Sequence, residues 1–238
     1  MPRSDTTRAR PSWSFKEYTP VGVDLGSPAA VAAYDRNQGT DPDADDALLD
    51  RLGVVRGTLL VDMACGTGSL VVQAARRGAH AHGVDVSEQM LAFAEARAEQ
   101  SGVTAHWHRA GFLDYAHAAG PADVVTTRSA LHQLPDFWKQ QALLNAAAML
   151  RPGGAFYLWD AVFSFPPAEA EEHVRRWIDT AGRPAGEGFT KTDFEMHVRE
   201  EFSTYTWILE GMLDRAGLET VSRRSPSTTH CEFLCRRR

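Results

Sequence analysis

The sequence predicts an α/β fold, a mostly parallel sheet with helices on both faces. Short apolar runs alternate with helical stretches between residues 58 and 160, the rhythm of βαβ units. A glycine-rich turn, Cys65-Gly66-Thr67-Gly68, separates the first apolar run from the helical stretch that follows it. The 238 residues are 43 % hydrophobic and 24 % charged, an ordinary globular composition and enough chain to bury a core.

Each element can be justified in order. Residues 1–20 mix Arg, Ser, Thr and Pro with Trp13, Phe15 and Tyr18, and read as a mobile start that becomes a docking arm. A short helix is expected over 29–34, then an acidic turn, Asp41-Pro42-Asp43, and a helix over 44–52. Gly53 ends that helix because glycine accepts the left-handed cap conformation. Residues 1–53 thus read as an N-terminal cap, and 54–238 as the main domain. Leu59-Leu60-Val61 is the first strand, and the helix over 69–77 has Leu70, Val71, Ala74 and Ala75 at helical spacing. Residues 79–84 form a second strand. Ser87 caps a helix to about 99, with Met90, Leu91, Phe93 and Ala94 as its apolar stripe. Strands are expected over 103–108, 123–127 and 155–159, with a helix over 137–150 and a turn at Pro152-Gly153-Gly154.

Beyond Asp160 the rhythm breaks. Residues 162–203 hold two helical stretches, 168–180 and 192–202, where an ordinary connection takes about 2–6 residues. We expect a lid insertion there. Ser203 is expected to cap a helix over 204–216, ended by Gly217, and residues 218–223 and 230–235 form a terminal antiparallel hairpin.

Lys+Arg 25 against Asp+Glu 31 gives −6, an acidic balance that argues against a nucleic-acid partner. No apolar run approaches the roughly 18–20 residues of a membrane span. No apolar segment follows the basic start, so no secretory signal is expected. The three cysteines, Cys65, Cys231 and Cys235, fit a reducing cytoplasm. Cys231 and Cys235 share one face of a strand without histidine partners nearby, which argues against zinc there.

The informative stretch is Val61-Asp62-Met63-Ala64-Cys65-Gly66-Thr67-Gly68. A glycine turn lets backbone approach a ligand closely, and the following helix offers free N–H groups. Asp85, 17 residues after Gly68, ends the second strand, where a carboxylate can accept both hydrogen bonds of a ribose diol. The third glycine of a dinucleotide site is absent, since Ser69-Leu70-Val71 follows Gly68. Asp62 also disfavours a pyrophosphate and favours a cation. The ligand therefore carries a ribose and positive charge.

These motifs, with Leu131-His132-Gln133-Leu134-Pro135 and Leu150-Arg151-Pro152-Gly153-Gly154, resemble the class I S-adenosylmethionine-dependent methyltransferases. The likeness is strongest to the small-molecule branch that includes ubiquinone and menaquinone biosynthesis enzymes, over roughly residues 55–160. It implies a seven-stranded Rossmann-like sheet, S-adenosylmethionine as cofactor and S-adenosylhomocysteine as product. It implies that Ala64, Cys65, Gly66 and Gly68 lie against the cofactor, with Asp62 near its ammonium. Asp85 would hold the ribose, and Val86, Met90 and Phe112 the adenine. Thr127, Arg128 and Tyr34 fall where the methionine end lies. Gly111 stands where the family usually has the Asp that bonds the adenine amino group, and Asp114 is a candidate to compensate.

His132 is a candidate proton acceptor, or else a histidine that shapes the pocket or caps the helix at Asp136, and Asp160 is a candidate base, substrate anchor or metal ligand. Ala161 follows Asp160 where metal-dependent relatives have Asn, so no metal is expected. His197 and Arg199 read as a solvated face of the lid helix, and Trp13, Tyr18, Trp177 and Trp207 as packing. The expected activity is methylation of a small-molecule acceptor at O, N or C. The alternatives are an RNA or protein methyltransferase and a non-catalytic regulator that binds the cofactor.

Overall fold

The computed structural model describes residues 12–18, 27–38 and 40–238. Most of the expected mobile start and docking arm, residues 1–11 and 19–20, lies outside the described residues.

Two helices precede the sheet, α1 (Pro28–Gln38) and α2 (Pro42–Leu52). Asp41 caps α2 by accepting from Asp43 N and Ala44 N, and Gly53 closes it at φ 70°. Then follow β1 (Leu59–Met63), α3 (Ser69–Arg76), β2 (His80–Asp85), α4 (Glu88–Gln100), β3 (His106–Arg109), β4 (Ala122–Arg128), α5 (Asp136–Met149) and β5 (Leu150–Asp160). The expected insertion, residues 162–203, contributes β6 (Val162–Phe163), α6 (Ala170–Ala181) and α7 (Lys191–Glu200). The chain closes with β7 (Thr204–Tyr205), α8 (Thr206–Arg215), β8 (Leu218–Arg224) and β9 (Cys231–Arg237).

The seven-stranded sheet has the order β3-β2-β1-β4-β5-β9-β8. Its first five strands are parallel, and the hairpin β8–β9 is antiparallel to β5. The order reverses between β1 and β4, which is where such sheets bind ligands. Successive strand residues face opposite layers. Val61, Met63, Val125, Phe156 and Leu158 therefore pack in one core with α5 and α8, while Leu60, Val124, Ala155 and Tyr157 pack in a second with α2 and α3. Glu232, buried on β9, accepts both Nη1 and Nη2 of Arg51 and the Tyr157 hydroxyl, tying α2 to the sheet.

Three expected boundaries shift. β3 starts at His106 because Gly102, at φ 65°, and the turn around it still belong to the end of α4. β5 absorbs the Pro152-Gly153-Gly154 turn, with a register irregularity opposite Ala122 and Val124. Ser203 caps nothing, since Thr204 and Tyr205 pair with Val162 and Phe163 as a two-stranded parallel ladder and the helix begins at Thr206. Among the described residues, no helix is long and apolar enough to cross a membrane.

Candidate active site

The site begins with a backbone that cannot run straight. After β1, Ala64 takes φ 55°, and Gly68 takes φ 75°. A Cβ on Gly68 would lie 2.7 Å from Ala94 and from Trp107, so only glycine lets α3 start this close to β3 and α4. Ser129, after β4, is a second non-glycine residue held in the left-handed region, at φ 51°. Such conformations cost about 1–3 kcal/mol and cluster at functional sites. Here both line one cavity of about 270 Å³.

Asp85 ends β2, buried beside this loop. Its Oδ2 accepts from Gly66 N at 2.9 Å and its Oδ1 from Ser87 N at 2.8 Å. Burial pushes its pKa up, while these N–H groups oppose the shift. The carboxylate is thus fixed in place before any ligand arrives. The Cys65 thiol is packed against Gly83, and burial holds its pKa well above the ordinary value, so it stays a neutral thiol.

Asp62 is also buried and accepts from the Thr126 hydroxyl at 2.6 Å. Burial pushes its pKa up to about 6, against the pull of Arg128 and Thr126. Arg128 pairs with buried Asp45 at 2.7 Å, and Asp45 also accepts from Ser69 at 2.5 Å. Tyr34 on α1 faces the same cavity, and Gln38 donates to its hydroxyl at 2.7 Å. Burial pushes its pKa up to about 12. The Thr127 hydroxyl is buried with no hydrogen-bond partner. Asp35 anchors α1 over the loop, accepting from Thr67 at 2.5 Å and from Arg97 at 2.7 Å.

A smaller cavity of about 40 Å³ lies on the other side of Ala64, lined by Asp85, Val86, Gly111 and Phe112. Met90 is buried and is not among its walls. Asp114 does not face it freely, because its Oδ1 accepts from Gly111 N at 2.6 Å and its Oδ2 from Tyr18 at 3.0 Å. The carboxylate at the Gly111 position comes instead from Glu17. A Cβ on Gly111 would meet the Glu17 carboxylate at 2.5 Å, and Glu17 accepts from Leu113 N at 3.1 Å. Sequence reading missed Glu17, which carries no motif of its own.

A third cavity, about 580 Å³, adjoins the first through Tyr34, Gln38, Ser129 and Trp159. His132 sits at its wall on a short 3₁₀ turn, Leu131–Gln133. Asp160 grips it twice, accepting from His132 N at 3.1 Å and through a short contact to Nδ1. Nε2 faces Glu201 at 3.0 Å. Burial pulls the His132 pKa down, but Asp160 and Glu201 outweigh it and push it up to about 10. Burial raises the Glu201 pKa, but His132 and His197 pull it down to about 2. His132 thus sits between two carboxylates, Asp160 on Nδ1 and Glu201 on Nε2.

The lid differs from expectation too. His197 is not on a solvated face: its Nδ1 contacts Glu201, its Nε2 lies 2.8 Å from Ser203 Oγ, and its ring packs against Trp177 and His132. Arg199 does point to solvent. Trp177 is buried, whereas Trp207 is 63 % exposed and Trp13, 71 % exposed, stacks on Trp138. Glu201 was missed because nothing in the sequence aims a lid residue at His132.

The three cavities adjoin one another at the sheet's C-terminal edge: a slot beside Asp85, a polar chamber beside Asp62 that meets the slot at Ala64, and a wider chamber walled by aromatic side chains that also meets the slot at Gln133. That arrangement suits a nucleoside, a polar cationic tail and a second molecule, in that order.

Residues 60–154 match a family model described as a methyltransferase domain. A ubiquinone biosynthesis O-methyltransferase of Aromatoleum aromaticum is 33 % identical over 110 residues, 46 % of this chain and 46 % of the relative. The chain thus spans under half the length of that relative. An uncharacterized methyltransferase of Geobacillus kaustophilus is 26 % identical over 70 % of this chain and 82 % of its own. The crystal structure of magnesium protoporphyrin IX methyltransferase from Synechocystis, with bound S-adenosylmethionine, superposes with a TM-score of 0.65 at 16 % identity, covering 96 % of this chain and 100 % of that one. Residues 60–154 are thus similar to a methyltransferase domain, and the chain as a whole shares the fold of that solved methyltransferase.

Proposed function

We propose that this protein methylates a small-molecule acceptor with S-adenosylmethionine. The observation that supports this most is the set of three adjoining cavities at the strand-order reversal, with fixed carboxylates in the first two. The residues fit the cofactor. Asp85, oriented by two backbone N–H groups, keeps lone pairs for a ribose diol. Asp62 with Thr126 suits an ammonium, and Arg128 and Tyr34 stand where a carboxylate end would lie, whereas Thr127 is not among the cavity walls. Val86 and Phe112 offer apolar walls to a purine, and Glu17 offers a carboxylate to its amino group. When bound, S-adenosylmethionine supplies an electrophilic methyl on a sulfonium, so no covalent enzyme intermediate is required.

The chain's own work is positioning, which contributes much of the barrier lowering in such displacements. Tyr34, Ser129 and Trp159 border both larger cavities and thus set where acceptor and methyl donor meet. The aromatic walls of Trp159, Trp177, Phe189 and Phe194 favour a flat, apolar body. His132, held charged by Asp160 and Glu201, favours an acceptor with an acidic oxygen, because an imidazolium attracts an oxyanion. The lid closes the acceptor cavity with side chains from α6 and α7, which favours a small molecule over a macromolecule.

The test is calorimetric titration with S-adenosylmethionine and S-adenosylhomocysteine, followed by a screen of phenolic and carboxylic acceptors for methyl transfer. Micromolar binding, about −8 kcal/mol, is expected for both ligands. Absence of binding to either would overturn the reading, and binding without turnover on any acceptor would favour a regulator.

A further inference from the structure

Among the described residues, one group of three metal-capable side chains has its ligand atoms within 4.8 Å of one another: His132, His197 and Glu201. We propose that these three form a binding site for a divalent transition-metal ion of the zinc class, set in the acceptor cavity. The set is two imidazoles and a carboxylate, which suits Zn²⁺ and its neighbours and not the hard all-oxygen preference of Mg²⁺ or Ca²⁺.

The geometry supports this beyond proximity. Glu201 Oε2 lies 3.0 Å from His132 Nε2 and in contact with His197 Nδ1. Ligands on a tetrahedral ion with bonds of about 2.0–2.1 Å stand roughly 3.3 Å apart, so little movement is needed. The outer partners are also in place. Asp160 holds His132 Nδ1, and Ser203 Oγ lies 2.8 Å from His197 Nε2. The ion would displace the His132 Nε2 proton to solvent; with Nδ1–H of His132 donating to Asp160 and Nε2–H of His197 to Ser203, the other two nitrogens then turn their lone pairs toward the ion beside Glu201. Ligating histidines are ordinarily fixed by such partners. Trp177 packs on His197 and shields the group from water.

Three protein ligands leave a position open, the mark of a catalytic rather than a structural site. All three side chains line the acceptor cavity, so that position would open into it. An acceptor hydroxyl bound there would be acidified by the ion. Its O–H proton would leave to solvent, the O–CH₃ bond would form, and the S–CH₃ electron pair would remain on sulfur. This use rests on the proposed methyl transfer; the metal site itself does not.

The experiment titrates chelator-treated, full-length protein with Co²⁺ and Zn²⁺ in the absence of S-adenosylmethionine, reading the cobalt absorption bands and calorimetric stoichiometry. One equivalent with a low-symmetry cobalt spectrum is expected. Glu201→Gln and His197→Gln should each weaken binding at least about 100-fold, and Asp160→Asn about 10–100-fold, with circular dichroism confirming the fold of each variant. A His80→Gln/His106→Gln variant, on the opposite end of the sheet, should bind as the parent does. The site is refuted by an absence of stoichiometric binding, or by binding that survives Glu201→Gln and His197→Gln and is lost with the distant pair. A separate S-adenosylmethionine titration shows whether the methyltransferase reading stands when the metal site falls.

Discussion

The two ends of the sheet both bury histidines, and they treat them in opposite ways. At the N-terminal end, His82 stacks on His106 at 4.6 Å and on His108 at 5.4 Å, with His117 edge-on at 4.8 Å. Burial, helped by its histidine neighbours, pushes the His82 pKa down to about 3 and that of His108 to about 4. Nδ1 of His108 and Nε2 of His117 are buried without hydrogen-bond partners. At the C-terminal end, His132 is as well buried as His82, yet its pKa is pushed up to about 10. Burial does not separate the two cases. Carboxylates do: Asp62, Asp85 and Asp160 all stand at or next to the last residue of a strand. One end of the sheet therefore holds fixed charge and can bind cations, while the other remains neutral packing.

Four changes test that contrast, from the largest effect down. Asp85→Ala removes a carboxylate whose charge-assisted hydrogen bonds each contribute about 1.5–3 kcal/mol. S-adenosylmethionine affinity should fall at least about 100-fold by calorimetry, and an unchanged Kd would mean that this carboxylate serves the fold alone. Asp160→Asn should lower the His132 pKa by about 2 units, equivalent to about 2.7 kcal/mol, read from imidazole resonances in chelator-treated protein. If His132 still titrates near 10, its charge does not come from Asp160.

The neutral end predicts a pH effect of definite sign. The folded pKa values of His82 and His108 lie below the ordinary 6.5, so the unfolded chain binds protons first. Stability should fall as pH drops from 6.5 toward 4, by about 1.4 kcal/mol per pH unit for each proton. His132 works oppositely, losing its contribution as pH rises through about 10. Urea midpoints at pH 7, 5.5 and 4.5 should show a flatter decline in His82→Asn than in the parent. An identical slope would place the proton uptake elsewhere. The smallest effect is at Glu17. Glu17→Ala should cost about 3–10-fold in cofactor affinity, near 1 kcal/mol, and adding Gly111→Asp should restore it, because the aspartate then occupies the space vacated by Glu17. No rescue would deny Glu17 its role at the adenine.

The contrast also shows what the sequence makes legible. The glycine loop and Asp85 are readable because a strand, a turn and a helix N-terminus lie contiguous in the chain, and each carries its own pattern. The same holds for the terminal hairpin. Glu17, Asp45 and Glu201 are not readable, since each reaches its partner from a different element: Glu17 meets Leu113 across 96 positions and Asp45 meets Arg128 across 83. His197 looked solvated because helical spacing gives a face but not what covers it. Ser203 looked like a cap because residue type suggests one, whereas the pairing of Thr204 and Tyr205 with Val162 and Phe163 decides the backbone there.

The lid's attachment has a kinetic consequence. Phe202 N donates to the backbone oxygen of His132 at 2.7 Å, and Lys139 Nζ holds Phe202 O, so the residue next to Glu201 is pinned to the Leu131–Gln133 turn and to α5. Lifting the lid carries Glu201 away and strands a buried imidazolium with a single counter-ion. The closed state is thus held by charge, through Glu201 on His132 and His197, as well as by apolar packing. Glu201→Gln should therefore shorten the lifetime of that closed state, while the anchors at Phe202 stay in place.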